Sequence, residues 1–183
     1  DATDSDSLQL FAERAKHSRH DFVLGDDTTL SAVQICQLVE GMPLAIELAA
    51  SWLRVLSISD IASEIEKGIG LLESSARDLP ARHHSIRAVF DHSWKLLTET
   101  EQIALRRLSV FQGGFRREAA LEVADVSLTI LASLVDKSFL SLTPTGRYRR
   151  HPLIIQYAQE KLSDFPEEKA HMEERHGLYY LHF

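Results

Sequence analysis

The stretch Gly41-Met42-Pro43 limits the possible folds of this chain more than any other. Val33-Gln34-Ile35-Cys36-Gln37-Leu38-Val39-Glu40 runs into it with apolar residues at helical spacing, and a second such pattern leaves it through Leu44, Ile46, Leu48 and Ala49 to Leu56. Glycine accepts the positive φ at which helices end. Proline suits the first turn of a helix, where a missing N–H costs nothing. Two helices therefore meet at a fixed corner, and neither one long helix nor a strand fits the stretch. Local chemistry alone makes this ordinary helix punctuation.

The same signals organise the remainder. Ser5 or Asp6 caps a first helix through Leu8, Leu10, Phe11 and Ala15, with a basic end at Lys16 to His20. Asp27 or Thr28 caps the helix that leads to Gly41, and Ser57-Ile58-Ser59-Asp60 caps a short one, Ile61 to Lys67, ending at Gly68. Residues 1–68 thus read as a small helical bundle carrying the Gly-x-Pro box. Residues 69–84, with Gly70, Ser74, Ser75 and Pro80, read as a linker.

From Ser85 a second domain is expected, to residue 163. Ile86, Val89, Phe90, Trp94 and Leu97 recur at helical spacing. Thr98-Glu99-Thr100-Glu101 has the form of a capping box, opening a helix that Gly113-Gly114 stops, after which Phe115 turns back to the core. A short helix covers Arg117 to Ala124, and Ser127 caps another carrying Leu128, Leu131, Leu134 and Val135. Phe139 to Thr143, a Pro144-Thr145-Gly146 turn and Arg147 to His151 form a hairpin, and Pro152 opens a closing helix. Helices, a hairpin wing and a closing helix describe a winged helix. Residues 164–183 form one more helix, a possible opening of a helical repeat region. The expected fold class is mostly α: a small helical bundle, a winged-helix domain with a two-stranded wing, and a C-terminal helix.

Composition excludes several functions. The chain has 183 residues, 44% of them hydrophobic, enough for real cores. One cysteine, Cys36 in an apolar helical pattern, rules out an internal disulfide framework and suits a reducing, cytoplasmic setting. No apolar run reaches the roughly 20 residues of a membrane helix, and no membrane contact is expected. The opening Asp1-Ala2-Thr3-Asp4 has the look of a cut into a longer protein. Neither His83-His84 with His92 nor His171 with His176 has a metal-site spacing, and no Gly-x-Ser-x-Gly elbow arranges a nucleophile. Trp52 and Trp94 read as core residues.

The net charge is −7, which opposes a free-standing nucleic-acid binder. In the helix that would enter a major groove, Leu128 to Lys137, the single lysine is matched by one aspartate and the remaining surface is mostly apolar. Contacts to many phosphates need many cations, so duplex DNA binding through this segment is not expected. Arg147, Arg149 and Arg150 make a small basic patch on the wing, suited to a phosphate or to acidic residues of a neighbouring domain.

Gly41-Met42-Pro43-Leu44-Ala45 resembles the Gly-Leu-Pro-Leu-Ala box of NB-ARC and related STAND signalling ATPases. Arg82 to Trp94, Leu105-Arg106-Arg107-Leu108-Ser109-Val110-Phe111-Gln112-Gly113-Gly114-Phe115, Leu134-Val135-Asp136-Lys137-Ser138 and Arg147-Tyr148-Arg149 follow in the order of the winged-helix part of bacterial members. The resemblance implies that Gly41 and Pro43 lie on the adenine side of a bound nucleotide. It also implies a phosphate-side role for the histidine of a Met-His-Asp triplet. Here the triplet is Arg150-His151-Pro152, so His151 is kept and both flanking positions differ; Arg149 and Arg150 join it as candidates. No Gly-x-x-x-x-Gly-Lys-Ser/Thr occurs, so this segment is not expected to hydrolyse ATP by itself. The implied function is a nucleotide-sensing lid, closing on an upstream P-loop domain of the same protein. That longer protein would bind ADP or ATP and self-associate when active, with no nucleotide held tightly by this segment alone. Two other readings stand beside it: a DNA-binding winged helix with a helical dimerisation domain, and a passive protein-interaction scaffold.

Overall fold

The computed structural model describes residues 2–75 and 81–181, and these form two compact units that divide between Leu96 and Leu97. The chain is mostly helical with one small antiparallel hairpin, as the apolar periodicity requires.

The first unit contains α1 (Ala2–Ser18), α2 (Asp26–Leu38), α3 (Pro43–Ser51), a 3-10 turn (Trp52–Arg54), α4 (Ile58–Ser75) and α5 (Ala81–Lys95). Helix α3 is its centre. Ala45, Ile46, Leu48, Ala49 and Ala50 are all buried, and the small alanines let α1 and α5 close on it. Cys36 is buried, as a core residue should be. Trp52 is fully buried; its indole N–H donates to Ser93 Oγ at 3.0 Å, and the His92 ring lies 4.1 Å from it. Trp94 is only half-buried.

Several sequence expectations shift here. Helix α1 begins at Ala2, before Ser5 and Asp6. The N-cap of α2 is Gly25, and Thr28 acts from inside the first turn, its Oγ1 accepting the Gly25 N–H at 2.8 Å. Ser57 caps α4 as expected, its Oγ accepting the Asp60 N–H at 3.2 Å. Helix α4 does not stop at Gly68. A Cβ there would sit 2.9 Å from the Cβ of Ala88, so this glycine lets α4 and α5 touch backbone to backbone. The expected linker is thus helical at both ends; residues 76–80 of it lie outside the described residues. Ile86, Val89 and Phe90 are buried in the first unit, because α5 packs on α3 and α4. Helix α5 therefore closes the bundle, where the sequence pattern had it opening the second domain.

The second unit contains α6 (Glu99–Leu108), α7 (Arg117–Ala124), α8 (Leu128–Asp136), β1 (Ser141–Leu142), β2 (Tyr148–Arg149), α9 (Pro152–Ser163) and α10 (Pro166–Leu181). The wing pairs Ser141 with Arg149 and Leu142 with Tyr148. Phe115 adds a one-residue third rung: its N–H and C=O bond Tyr148 at 3.1 and 2.8 Å. The rings of Phe111, Phe115 and Tyr148 stack behind that sheet, with centroid separations of 4.8 and 5.8 Å. Helix α10 packs on α7 and α9 with Met172 buried. Glu168 on it accepts from Arg106 Nε at 2.7 Å and Arg107 Nε at 2.6 Å. It is a buttress of this unit.

Candidate functional site

Pro43 opens α3 as expected, but α2 ends before Gly41, with Val39 as its C-cap. Glu40 and Gly41 both take positive φ, 52° and 67°, and the Gly41 N–H returns to Cys36 O at 2.9 Å. A Cβ on Gly41 would also meet Ser7 Oγ at 3.1 Å. Pro43 occupies the first position of α3 and is exposed, while the helix behind it is buried. Its ring is a flat apolar surface at a helix N-terminus. Pro43 belongs to the first unit and His151 to the second.

His151 caps α9. Its Nδ1 accepts the Leu153 N–H at 3.2 Å, which in the neutral ring leaves the proton on Nε2 and makes that atom a donor directed away from the helix. The residue is exposed and stands directly before Pro152.

The wing arginines do not act together. Arg150 turns inward and donates to three carbonyls at and after the end of α6: Leu108, Phe111 at 2.5 Å and Gly113 at 3.4 Å. Its guanidinium lies 5.1 Å from the Phe115 ring centroid, and burial lowers its pKa to about 10. It serves α6 as a C-cap supplied from the wing through both Nη groups, while its buried Nε has no acceptor among the described residues. Arg147 and Arg149 are exposed and form no ion pair among the described residues. Arg147 Nη2 donates to Gly114 O. Strand alternation accounts for the split: Tyr148 and Arg150 face in, while Arg147, Arg149 and His151 face out.

Glu101 organises the α8 region. Glu101 begins as the expected capping box, its carboxylate accepting the Thr98 N–H at 2.7 Å while its own N–H donates to Thr98 Oγ1 at 3.3 Å. It also accepts from Ser133 Oγ at 2.5 Å and from Lys137 Nζ at 2.7 and 2.8 Å. Burial by itself would raise its pKa, but the bonds from Lys137, Ser133 and Thr98 outweigh that and hold it at about 2. The buried carboxylate thereby neutralises Lys137, which follows α8. The outward face of α8 shows Leu128, Thr129, Ala132 and Asp136. Only the capping box was legible locally; Ser133 and Lys137 lie more than 30 residues away.

Fold and surface together define a helical bundle joined to a winged helix whose inner cations are internally bound. No protein-family model matches the chain. It is 37% identical over 185 residues to a Mycobacterium tuberculosis protein provisionally named an HTH-type transcriptional regulator, Rv0890c; the match covers 96% of this chain and 21% of that protein. It is 34% identical over 177 residues to an uncharacterized protein of the same organism, Rv0894, covering 91% of this chain and 45% of the other. With the regulatory protein AfsR of Streptomyces coelicolor it shares 30% identity over 149 residues, 75% of this chain and 15% of that one. The chain therefore spans about a fifth of the first relative's length.

Proposed function

We propose that this chain is a regulatory segment of a larger transcription-controlling protein, working as a nucleotide-sensing lid on an upstream P-loop domain rather than as the part that reads DNA. The similarity to proteins named as regulators supports the regulatory role. The observation that carries the choice of mechanism is the inward turn of the cations. Lys137 is bound to Glu101 and Arg150 to the end of α6, so the outward face of α8, Leu128, Thr129, Ala132 and Asp136, offers no cation to a phosphate backbone. Pro43 and His151 remain exposed, with an apolar ring and an outward N–H donor that match a base and a phosphate oxygen.

In this reading ADP, with Pro43 against its adenine and His151 at its phosphate, favours the closed state. ATP, by contacting His151 differently, favours an open state competent to self-associate. A ligand shifts such an equilibrium only through differential affinity for the two states. The test is ADP dissociation from the longer protein that carries the P-loop domain. His151→Ala speeds release by roughly 10-fold, the equivalent of one charge-assisted hydrogen bond. An unchanged off-rate removes His151 from the mechanism.

A second reading, a DNA-binding winged helix, is favoured by the HTH name of the relative and by exposed Arg147 and Arg149. Its test is duplex binding by the 183-residue chain across a salt series. The lid reading expects no saturable binding at physiological salt, whereas a steep salt slope supports the second.

A further inference from the structure

We propose that the outer face of the small sheet is a docking site for an extended, carboxylate-rich segment of a partner protein, held by Arg116, Arg147 and Arg149. The proposal goes beyond the lid reading and needs neither Pro43 nor His151.

The bridge between Phe115 and Tyr148 fixes the register of a third row beside β2. In an antiparallel pair the neighbours of a bridge also stand opposite each other, so Gly114 faces Arg149 and Arg116 faces Arg147. On the other side of β2, Ser141 pairs with Arg149, and the Thr143 N–H donates to Arg147 O at 2.9 Å. Two rungs result: Ser141, Arg149 and Gly114 in one, Thr143, Arg147 and Arg116 in the other. Phe115 and Tyr148 turn inward and stack, so strand alternation puts these six residues on the outer face. All three arginines are exposed, the side chains between them are small, and none of the six carries a carboxylate. Among the described residues none of the three arginines forms an ion pair. Arg147 uses one N–H on Gly114 O and keeps the others. Like charges on neighbouring positions of one sheet face repel, and an anionic partner relieves that repulsion. In a chain of net charge −7 this face is a local exception.

The spacing selects the anion. Arg147 and Arg149 stand two residues apart, about 7 Å along the strand. An extended peptide repeats its alternate side chains at the same interval, so its carboxylates at i and i+2 meet successive guanidinium groups, whose planar forks suit carboxylates. Phosphates joined through one shared oxygen are too close together to span both arginines. Duplex DNA fits poorly, because the outward face of α8 adds no cation to the three on the sheet.

The experiment measures fluorescence anisotropy at physiological salt, with the 183-residue chain and two labelled peptides of equal composition. In one peptide Glu alternates with Thr; in the other the glutamates form a single block. The alternating peptide binds saturably and about 5-fold more tightly than the block, a difference of one exposed ion pair at the upper end of its range. Arg116→Gln, Arg147→Gln and Arg149→Gln each weaken it by a similar factor of about 5. Arg117→Gln, which removes an equal charge from an exposed site paired with Glu118, changes it less than about 2-fold. The Arg116 and Arg149 variants melt no lower than wild type, so their lost binding is not lost folding. The proposal is overturned if neither peptide saturates, if the block binds as tightly as the alternating peptide, or if the Arg117 variant loses as much as the others. It is equally overturned if tripolyphosphate or duplex DNA displaces the alternating peptide at lower concentration than the unlabelled peptide does. The lid reading stands or falls separately, on ADP release from the His151→Ala variant of the longer protein.

Discussion

The two units are held together by different physics. The first is a packing problem solved with small residues: α3 is sheathed by its neighbours, Gly68 meets Ala88, and the buried side-chain bonds, Trp52 to Ser93 and Ser51 to the Leu48 carbonyl, are neutral. The second is pinned by charge. Glu101 gathers Thr98, Ser133 and Lys137; Glu168 gathers Arg106 and Arg107; Asp125 takes a two-pronged bond from Arg175 at 2.6 and 2.9 Å. Apolar contacts are non-directional, whereas charge-assisted bonds fix geometry. Both tryptophans, Trp52 and Trp94, lie in the first unit, so their emission reports on it selectively.

The sharpest way to break this contrast is to delete one polar centre from each unit. Glu101→Ala leaves Lys137 without its buried counter-charge and should cost about 3–5 kcal/mol. Ser93→Ala strips one neutral bond from Trp52 and should cost about 1 kcal/mol. Thermal unfolding followed by circular dichroism measures both, and equal losses would end the distinction. Acid titration probes the same centre. Glu101 has a folded-state pKa of about 2, below its unfolded value, so its stabilisation is complete above about pH 4.5 and is lost as pH falls towards 2. The loss is on the order of 3 kcal/mol.

Next in size is Arg150→Met. Three carbonyls at the end of α6 lose their donor while the stem's packing against Phe115 is largely kept, and the expected cost is about 2 kcal/mol. Arg149→Met, one residue away and exposed, should lie within about 0.5 kcal/mol of wild type. The pair of melts checks whether inward and outward arginines divide as strand alternation requires. In the first unit the matching change is Gly68→Ala. Overpacking against Ala88 costs about 1–3 kcal/mol, offset by about 1 kcal/mol of better helix propensity. Adding Ala88→Gly should relieve the clash, and a double variant no better than the single one would show that the close approach is not what the glycine provides.

These residues also mark where local sequence stops being informative. The Gly41–Pro43 corner was readable because positive φ and a missing N–H are properties of single residues. The Thr98–Glu101 box was readable because its partners are three positions apart. Gly68 was misread as a helix stop because glycine serves equally as a terminator and as a gap for a neighbouring backbone, and Ala88, which decides between them, is on another helix. Helix α5 was assigned to the wrong unit because an amphipathic pattern gives a buried face without naming what buries it. The division of Arg149 from Arg150 did have a signal: once Tyr148 faces the core, period-two alternation sends Arg149 out and Arg150 in.

The smallest expected effect tests the contrast from the first unit's side. His92 lies against Trp52 with its Nδ1 3.7 Å from Glu64 Oε2. Burial lowers its pKa most; Glu64 pulls it back up and Lys95 pushes it down again. A histidine whose folded-state pKa is depressed contributes stability that is present above its unfolded value, near 6.5, and is lost as pH falls through the folded value. Between pH 7 and 5 the first unit should therefore weaken slightly, and Trp52 emission should fall as an imidazolium forms beside the indole. Over the same range Glu101 remains ionised and the second unit should hold constant. His92→Gln removes the emission change. If tryptophan emission stays flat in the wild type while the second unit loses stability between pH 7 and 5, the assignment of apolar packing to one unit and ionic clamps to the other has the titrating groups in the wrong places.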